Sequence, residues 1–288
     1  MRMDGHIHLG EGPADSNRLL ADMAMAGFDG GVLISPPPAC WRDRQFVRHS
    51  IEKRLARLQT WTTGQPSLFP VYWIDPTDSD ALEQVATAVE AGVAGFKVIC
   101  STHAPGDARA MPVYRAIAAQ NKPILFHSGI LWDGMASSEL NRPAAFEALL
   151  EVPRLRFALA HISWPWVDEC LAVFGKFRHA ASVRPDAPEM FIDTTPGTPE
   201  IYRAEALTKL FTIGYNLSDH AIFGTDGSAP GYEAEWTRTW ADRDLAILRR
   251  LGLGEDVQAR YFGGNLQRWL TGLEQKSNSV AAVCIGTW

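Results

Sequence analysis

The feature that most constrains the fold of this chain is an alternation between short apolar segments, rich in Val, Ile and Phe, and longer segments with helical periodicity. Continuous apolar strands joined by helical crossovers form a parallel sheet covered by helices, and eight such units favour closure into a barrel. The segments predicted as strands are 3–9, 30–35, 69–75, 94–100, 123–128, 156–162, 190–195 and 221–226. We therefore predict an α/β fold, a TIM-like (β/α)8 barrel.

Helical segments fill most of the intervals between these strands. The segment 16–27 has a Ser or Asn N-cap and ends at Gly27, and the Asp-rich start of 76–92 suits the positive end of a helix dipole. Further predicted helices are 111–121, 138–151, 165–177 and 198–211. Two more, 233–252 and 254–270, follow the last strand, and we expect additional C-terminal helices on the barrel.

The composition is compatible with one large domain. A chain of 288 residues with 46% hydrophobic residues can build a single core of barrel size, and no stretch reads as a linker. We predict one barrel domain over residues 1–288. Residues 275–288 change from polar to apolar, and they form either a tail packed on the barrel, a partner contact or a disordered end.

Charge and cysteine usage narrow the partners and the compartment. A net charge of −6 provides no overall positive field, which argues against nucleic acid or an anionic membrane and favours a small-molecule substrate. Cys40, Cys100, Cys170 and Cys284 are far apart without a Cys-x-x-Cys pair, as in reduced cytosolic proteins. No apolar run is long enough to span a bilayer. We predict a cytoplasmic protein and leave a homo-oligomer open.

The sequence "DGHIH" at residues 4–8 places Asp4, His6 and His8 at alternate positions of the first strand. Side chains at alternate positions of a strand project to the same face, so these three are predicted to point together. Two imidazoles and a carboxylate on one face suit a cation. Histidines on a strand can also hydrogen-bond only to neighbours or water, so a metal site needs further ligands.

Further candidate ligands stand at the ends of later strands. In a barrel of this kind the carboxyl ends of the strands share one face, where catalytic residues lie. His127, His161 and Asp226 end the fifth, sixth and eighth predicted strands, whereas the remaining histidines, His49, His103, His179 and His220, fall in helices or loops. This convergence predicts a metal site at that face.

These motifs together resemble the metal-dependent amidohydrolase superfamily, and in particular the branch that includes aminocarboxymuconate-semialdehyde decarboxylase and 2-pyrone-type lactonases. The resemblance covers nearly the whole chain. It is carried by "DGHIHLG", "GFKV", "PILFHSG", "FALAHISWPW", "MFIDTT", "IFGTDG" and "GGNLQRWL". The order His-x-His, His, His, Asp is specific to the superfamily but does not identify a substrate.

The resemblance implies that one divalent ion, Zn²⁺ or alternatively Mn²⁺, is held by His6, His8, His127 and Asp226. It places His161 beside the water on that ion, and Asp226 would accept a proton from this water. In parts of the superfamily the lysine on the fourth strand, which corresponds to Lys97, is carbamylated and bridges two metals. An unmodified Lys97 would instead bind a substrate anion or pair with a carboxylate such as Asp226, since a buried unpaired ammonium is costly.

Other residues are candidates for supporting roles. Asp4 is expected to orient a metal-binding histidine through a hydrogen bond or to close the bottom of the barrel, rather than to bind the metal. Asp193 could orient a histidine in the same way, but a hydrogen bond to Thr194 or to a loop amide is the favoured interpretation. The loops after the strands supply candidate pocket residues, which are Trp73, His103, Trp132, Trp164 and Trp166. Arg42 and Arg44 follow the second strand and could bind a substrate carboxylate.

Three functions remain open at this point. The leading hypothesis is a metal-dependent hydrolase that acts on an amide, a lactone or an ester of a small molecule. The first alternative is a non-oxidative, metal-dependent decarboxylase of an aromatic or unsaturated carboxylic acid. The second is a non-catalytic metal-binding barrel, because a fold alone does not confer a function.

Overall fold

The structure is a computed structural model that describes residues 1–38 and 49–272. Its strands are β1 (Met3–His8), β2 (Gly30–Ile34), β3 (Leu68–Trp73), β4 (Gly95–Val98), β5 (Ile124–Phe126), β6 (Arg156–Leu159), β7 (Glu189–Asp193), β8 (Ala221–Ile222) and β9 (Gly227–Ser228). Strands β1 to β8 pair in parallel in sequence order, and β9 pairs with β1.

The sheet closes through one segment. The eighth predicted strand appears as two short strands, of which β8 pairs with β7 and β9 pairs with β1. The four residues between them carry further contacts, such as the hydrogen bond from Gly5 N to the Phe223 carbonyl at 2.9 Å. The segment 221–228 therefore joins the first strand to the seventh, and the predicted TIM-like barrel is confirmed.

The helices of the described residues surround this sheet. They are α1 (Ser16–Met25), α2 (Ile51–Thr62), α3 (Ala81–Glu90), α4 (Ala110–Ala119), α5 (Val167–Val183), α6 (Glu200–Thr212), α7 (Ala234–Arg250), α8 (Glu255–Ala259) and α9 (Asn265–Thr271). Helix α2 is missing from the sequence-based expectations. Its apolar face is narrow and consists of the buried residues Leu55, Leu58 and Trp61, three positions apart, among polar residues.

Two predicted helices have a different form. The segment 138–151 forms two 3-10 helices, Ser138–Asn141 and Pro143–Glu151, because the residue before a proline is forced into an extended conformation and Arg142 has ψ 135°. The segment 254–270 is divided between α8, a π-helical turn (Arg260–Gly264) and α9. Gly263, in that turn, leaves helical geometry.

The apolar residues form two buried layers. One layer lies between the sheet and the helices, and the other fills the barrel. The inner layer includes Met3, Val32, Val71 and Phe191 from the strands and Leu266, Trp269 and Leu270 from α9. Because Met3 begins β1, α9 covers the amino-terminal end of the strands and leaves their carboxyl ends for other side chains.

Only some of the remaining sequence-based predictions concern residues that the structure describes. Cys100 and Cys170 are buried free cysteines. Within the described ranges, no helix has both the length and the hydrophobicity needed to cross a membrane. Arg42, Arg44 and the segment 275–288 lie outside the described residues.

A buried ion pair joins α6 to α7. Arg203 and Asp244 are both fully buried, and the guanidinium donates to the two carboxylate oxygens at 2.9 and 2.6 Å. Tyr261 also donates to Asp244, at 2.7 Å. Burial opposes the charge of Arg203, but the charge of Asp244 outweighs it and raises the pKa of the guanidinium above its ordinary value. Each charge thus depends on the other.

We expect Asp244→Asn to lower the free energy of unfolding by about 3–5 kcal/mol, because it leaves the Arg203 guanidinium buried without its counter-charge. Urea denaturation followed by circular dichroism measures the change. Glu205→Gln, which removes an exposed ion pair with Lys209 on the same helix, is the matched control and should change little. Equal losses in the two variants would contradict the prediction.

A second ion pair ties α9 to the start of β7. Glu189 accepts hydrogen bonds from His220 Nε2, at 3.1 Å, and from Arg268. Burial alone would raise the pKa of Glu189, but His220 and Arg268 outweigh it and lower the pKa to about 2. A carboxyl whose pKa is lowered by folding stabilises the protein above its unfolded pKa, and this stabilisation is lost as the pH falls towards the folded pKa.

We therefore expect Glu189→Gln to be less stable than the unchanged protein near neutral pH, and the difference to shrink as the pH falls from about 5 to about 3. Thermal unfolding of both proteins at a series of pH values measures it. A difference that stays constant or grows on acidification would refute the role assigned to Glu189.

Candidate metal centre

Three side chains from opposite ends of the chain meet at the carboxyl ends of the strands. His6 and His8 lie on β1, and Asp226 lies between β8 and β9 with a left-handed φ of 58°. His6 Nε2 is 3.2 Å from His8 Nε2, and Asp226 Oδ1 is 3.3 and 3.2 Å from these two nitrogens. We call His6, His8 and Asp226 the metal triad. In the described residues they form the one group whose ligand atoms all lie within 4.8 Å of one another.

The spacing of the triad fits a small cation. Zinc ligands lie about 2.0–2.1 Å from the ion, so two ligands of a tetrahedral site stand about 3.3 Å apart. The three distances in the triad, 3.2, 3.2 and 3.3 Å, match this edge. Neutral imidazoles and a carboxylate are also the donors that zinc prefers. The residues present therefore fit a divalent metal.

Asp193, at the end of β7, determines which nitrogen of His6 faces the triad. His6 Nδ1 donates to Asp193 Oδ2 at 2.7 Å, because a carboxylate can only accept. This leaves the lone pair of Nε2 for a metal. Burial would raise the pKa of Asp193, but the charge and the hydrogen bond of His6 lower it, so the carboxylate stays ionised. Hydrogen bonds of this kind orient metal-binding histidines.

The ionisation states in the triad also suit a metal. Burial, followed by the charge of Lys97, lowers the pKa of His6 below its ordinary value, so the ring is neutral near neutral pH. Burial would raise the pKa of Asp226, but His6, His8 and His161 outweigh it and lower that pKa far below its ordinary value. The triad thus presents a neutral His6 ring and an ionised Asp226 carboxylate.

Asp4 does not share the face of His6 and His8, contrary to the prediction from alternation. The pairing register of β1 and β2 shifts between Asp4 and Ile7, which reverses the alternation within the strand. The Asp4 carboxylate instead accepts hydrogen bonds from the amide of Thr225 at 3.0 Å, its hydroxyl at 2.6 Å and the hydroxyl of Tyr232 at 3.0 Å. Asp4 thus fixes the segment that carries Asp226.

His127 and His161 lie beside the triad. The centres of their rings are 4.9 Å apart, and the ring of His161 is 5.7 Å from that of His6. His127 Nε2 contacts the Ile130 carbonyl at 3.2 Å, and His127 lies outside the group of mutually close ligand atoms. The role of His127 as a fourth metal ligand therefore stays a prediction. Because Nε2 contacts the Ile130 carbonyl, Nδ1 is the ring nitrogen left to bind a metal. Burial lowers the pKa of His161 to about 4.

Lys97 projects into the same place from β4. Its side chain is 1% exposed, and Nζ lies 3.4 Å from His6 Nε2. Burial lowers the pKa of Lys97 to about 8, against the opposing charges of Asp226 and Asp193. Among the described residues no carboxylate lies within ion-pair distance of Nζ. The ammonium is thus a buried positive charge at the edge of the triad.

A cavity of 490 Å³ opens over the triad, a volume suited to a small molecule. Of the predicted pocket residues, Trp73, Trp132 and Trp164 line it. Trp132 is 78% exposed and stands at the mouth. His103 and Trp166 are not among the lining residues of the described chain: His103 is buried near Asp75, and the Trp166 ring packs under Arg142.

Sequence reasoning missed two residues that hold His161. Thr195 Oγ1 is 2.9 Å from His161 Nδ1, and Gly197 packs so closely that a Cβ there would lie 2.7 Å from the Cβ of His161. Neither Thr nor Gly is a metal-binding residue type, so a search of the strand ends for histidine and carboxylate side chains does not find them. The run "DTTPG" after β7 is the one clue, since Asp193 and Thr195 alternate there.

The family model described as "Amidohydrolase" matches residues 3–270, which is most of the chain. No curated protein sequence matches the chain.

Several solved structures resemble the chain in fold. An amidohydrolase from Burkholderia multivorans with bound zinc is 12% identical, with a TM-score of 0.62, and the match covers 94% of this chain and 99% of that one. A 2,6-dihydroxybenzoate decarboxylase from Rhizobium is 15% identical, with a TM-score of 0.60 and coverage of 93% and 98%. A putative amidohydrolase from Staphylococcus aureus is 12% identical, with a TM-score of 0.61 and coverage of 94% and 99%. At these identities the likeness shows the fold alone.

We expect Asp193→Asn to weaken zinc binding by about 10–100-fold, because an amide cannot accept from both His6 Nδ1 and the Thr195 amide. Competition for zinc with a chromophoric chelator measures the affinity. Glu189→Gln makes the same change from carboxylate to amide at the other end of β7 and should leave zinc affinity unaltered. If Asp193→Asn binds zinc as tightly as that control, Asp193 does not orient His6.

Proposed function

The chain belongs to the amidohydrolase family of enzymes, and from that membership we propose that it is a metal-dependent hydrolase of an amide, a lactone or an ester of a small molecule. The observation that carries the proposal is the metal triad, whose three ligand atoms have the spacing of zinc ligands and lie at the floor of a cavity. The partner it implies is a small-molecule substrate, rather than nucleic acid or a membrane.

The resident cofactor in this proposal is one divalent ion, Zn²⁺ or alternatively Mn²⁺, held by His6, His8 and Asp226 with His127 as a fourth ligand. Such an ion lowers the pKa of water to about 7 and polarises a carbonyl oxygen. Asp193 keeps His6 in the tautomer that binds the ion, and Asp4 keeps Asp226 beside β1. The chain therefore holds its donors in place before a substrate arrives, which is the arrangement that efficient catalysis requires.

Proton transfer falls to groups of the chain next to the triad. Asp226 uses Oδ1 in the triad, so Oδ2 is the oxygen that can accept a proton from water and pass it to a leaving group. His161 lines the same cavity as this carboxylate. It can therefore take part in the same proton transfer or form a hydrogen bond with the substrate carbonyl. Lys97 is the cation available to an anionic group of the substrate.

A second candidate function is the non-oxidative decarboxylation of an aromatic or unsaturated carboxylic acid. Two observations favour it: the likeness in fold to a 2,6-dihydroxybenzoate decarboxylase, and a cavity lined by Lys97 together with three Trp residues. Trp73, Trp132 and Trp164 can stack on a planar substrate, while Lys97 pairs with its carboxylate. Water in the cavity, or an acid beside the triad, would then protonate the carbon that loses carbon dioxide.

We expect protein purified without chelator to contain about one equivalent of zinc or manganese per chain, and His6→Ala and Asp226→Ala to lose both the metal and turnover. Elemental analysis and assays on a panel of lactones, amides, esters and aromatic acids measure the two quantities. His179→Ala, which removes an exposed imidazole from α5, is the control and should retain both. Retention of metal in both triad variants would exclude the proposed ligand set.

The same experiment separates the remaining alternatives. Two equivalents of metal, together with a carbon dioxide adduct on Lys97 in the mass spectrum, would make Lys97 a bridging ligand. For an active substrate, assays in ¹⁸O-labelled water distinguish the reactions: hydrolysis places the label in the product, whereas decarboxylation releases carbon dioxide without taking up water. Metal binding without turnover on the whole panel would favour the non-catalytic barrel.

A further inference from the structure

The lining of the cavity changes from polar to apolar with distance from the triad. Lys97, His127 and His161 lie at or just beyond the ends of their strands, and each is followed in the chain by apolar residues of the same lining. These are Ile99 after Lys97, Ile130, Leu131 and Trp132 after His127, and Trp164 after His161. Because each loop leaves the barrel beyond the end of its strand, the later residues stand farther from the triad. The described part of the cavity therefore has a polar floor and apolar walls.

The walls offer a ligand few hydrogen-bonding groups. The hydroxyl groups of the described lining belong to Ser35, Ser128 and Ser228. Ser35 Oγ donates to the carbonyl of the next residue at 3.1 Å and accepts from the Trp73 amide at 2.9 Å. Ser128 Oγ is bonded to Ser163 Oγ at 2.8 Å. A ligand with several hydroxyl or amide groups would leave most of them unpaired against these walls, which costs binding free energy.

Trp132 extends the apolar wall to the mouth of the cavity. It is 78% exposed, whereas its neighbours Leu131 and Asp133 are 6% and 7% exposed. The chain is held on both sides of it: the amide of Leu131 donates to Ser138 Oγ at 3.2 Å, and the Asp133 carboxylate accepts from Ser137 Oγ at 2.6 Å. The loop thus holds an exposed indole ring in a fixed place, and covering such a ring with an apolar group is favourable.

We propose that the cavity walls and Trp132 form an apolar subsite for the part of the substrate distal to its reacting group, and that Trp132 selects substrates long enough to reach the mouth. The substrate class is then a carboxylic acid, or its ester, lactone or amide, whose reacting group is attached to a hydrocarbon ring or chain. A sugar, a peptide or a nucleotide does not fit this subsite. The inference deepens the proposed function and rests on it for the place of the reacting group.

The charges of the site agree with a ligand that is polar at one end only. Lys97 Nζ lies 3.4 Å from His6 Nε2, and Asp226 Oδ1 lies 3.3 Å from the same nitrogen, so both charges are at the floor. The described lining has no further Lys, Arg, Asp or Glu side chain. A carboxylate or carbonyl of the ligand can therefore meet a charge only at the floor, and a hydrocarbon can fill the remaining space without covering a charge.

The test is a comparison of three carboxylates by isothermal titration calorimetry on protein purified without chelator. Benzoate has one ring, and 4-cyclohexyloxybenzoate adds an apolar six-membered ring. The compound 4-carboxyphenyl β-D-glucopyranoside adds a ring of the same size that carries hydroxyl groups. We expect 4-cyclohexyloxybenzoate to bind at least about 10-fold more tightly than benzoate, because its second ring leaves water for an apolar wall. The glucoside should bind no more tightly than benzoate.

Variants at the mouth test the role of Trp132. Trp132→Ala should lower the affinity for 4-cyclohexyloxybenzoate by about 3–10-fold and that for benzoate much less, because benzoate is bound nearer the floor. Trp132→Phe keeps an aromatic ring and should retain most of the difference between the two ligands. Met135→Ala removes another exposed apolar side chain of the same loop, one outside the described lining, and should leave the three affinities unaltered.

Each contrary result overturns a stated part of the inference. Equal affinities for benzoate and 4-cyclohexyloxybenzoate, or no measurable binding of the latter, exclude the subsite. A glucoside that binds as tightly as 4-cyclohexyloxybenzoate excludes its apolar character. If Trp132→Ala lowers the affinities for benzoate and 4-cyclohexyloxybenzoate equally, or lowers neither, Trp132 does not select for length.

The calorimetry needs no turnover, so it separates this inference from the proposed function. The expected affinities in a protein that turns over no compound of the assay panel would support the subsite and refute the function. Turnover by a protein without preference for the cyclohexyl compound would refute the subsite alone.

Discussion

The candidate site depends on the closure of the barrel between its first strand and its last segment. The Asp4 carboxylate secures this closure: it accepts from the amide of His6 on β1, and from Thr225 and Tyr232 beyond β8. Asp4 is fully buried, and burial raises its pKa to about 6, against the hydrogen bonds that favour the charged form. A buried carboxylate is tolerated where donors satisfy it. His6 and Asp226 lie more than two hundred positions apart in the chain, and this set of bonds brings them together.

The sequence predicts the barrel because its strands are buried on both faces, and a strand of that kind reads as a continuous apolar run. It also predicts the metal triad, because the carboxyl ends of all strands in a barrel share one face. It misjudges Asp4, since one shift of register within β1 reverses the alternation on which the prediction rests. The sequence does not predict helix α2, because only three buried apolar residues mark its face. Thr195 is a common residue whose importance follows from a single contact, and no local pattern reveals it.

The two ends of the barrel differ in the roles of their side chains. At the amino-terminal end, α9 covers the apolar interior, and Glu189 pairs with Arg268 and accepts a hydrogen bond from His220. That end is packed and paired, and its residues serve stability. At the opposite end the structure gathers a buried ammonium, an ionised carboxylate and uncharged imidazoles without a full set of partners. Groups whose pKa is shifted by burial and by specific charges, gathered in a cavity, are typical of active sites.

The backbone at the end of β6 is strained. His161, Ile162 and Ser163 have φ values of 63°, 50° and 55°, a left-handed run that is unfavourable for L-residues and most of all for a β-branched one such as Ile162. Such strain persists where the surroundings fix the conformation. Ile162 is fully buried, and Ser163 bonds to Ser128 at 2.8 Å, so packing holds the turn. The turn determines where the His161 ring enters the cavity, and Thr195 Oγ1 lies 2.9 Å from Nδ1 of that ring. A histidine held by backbone on one side and by a hydroxyl on the other keeps its orientation even when its proton moves.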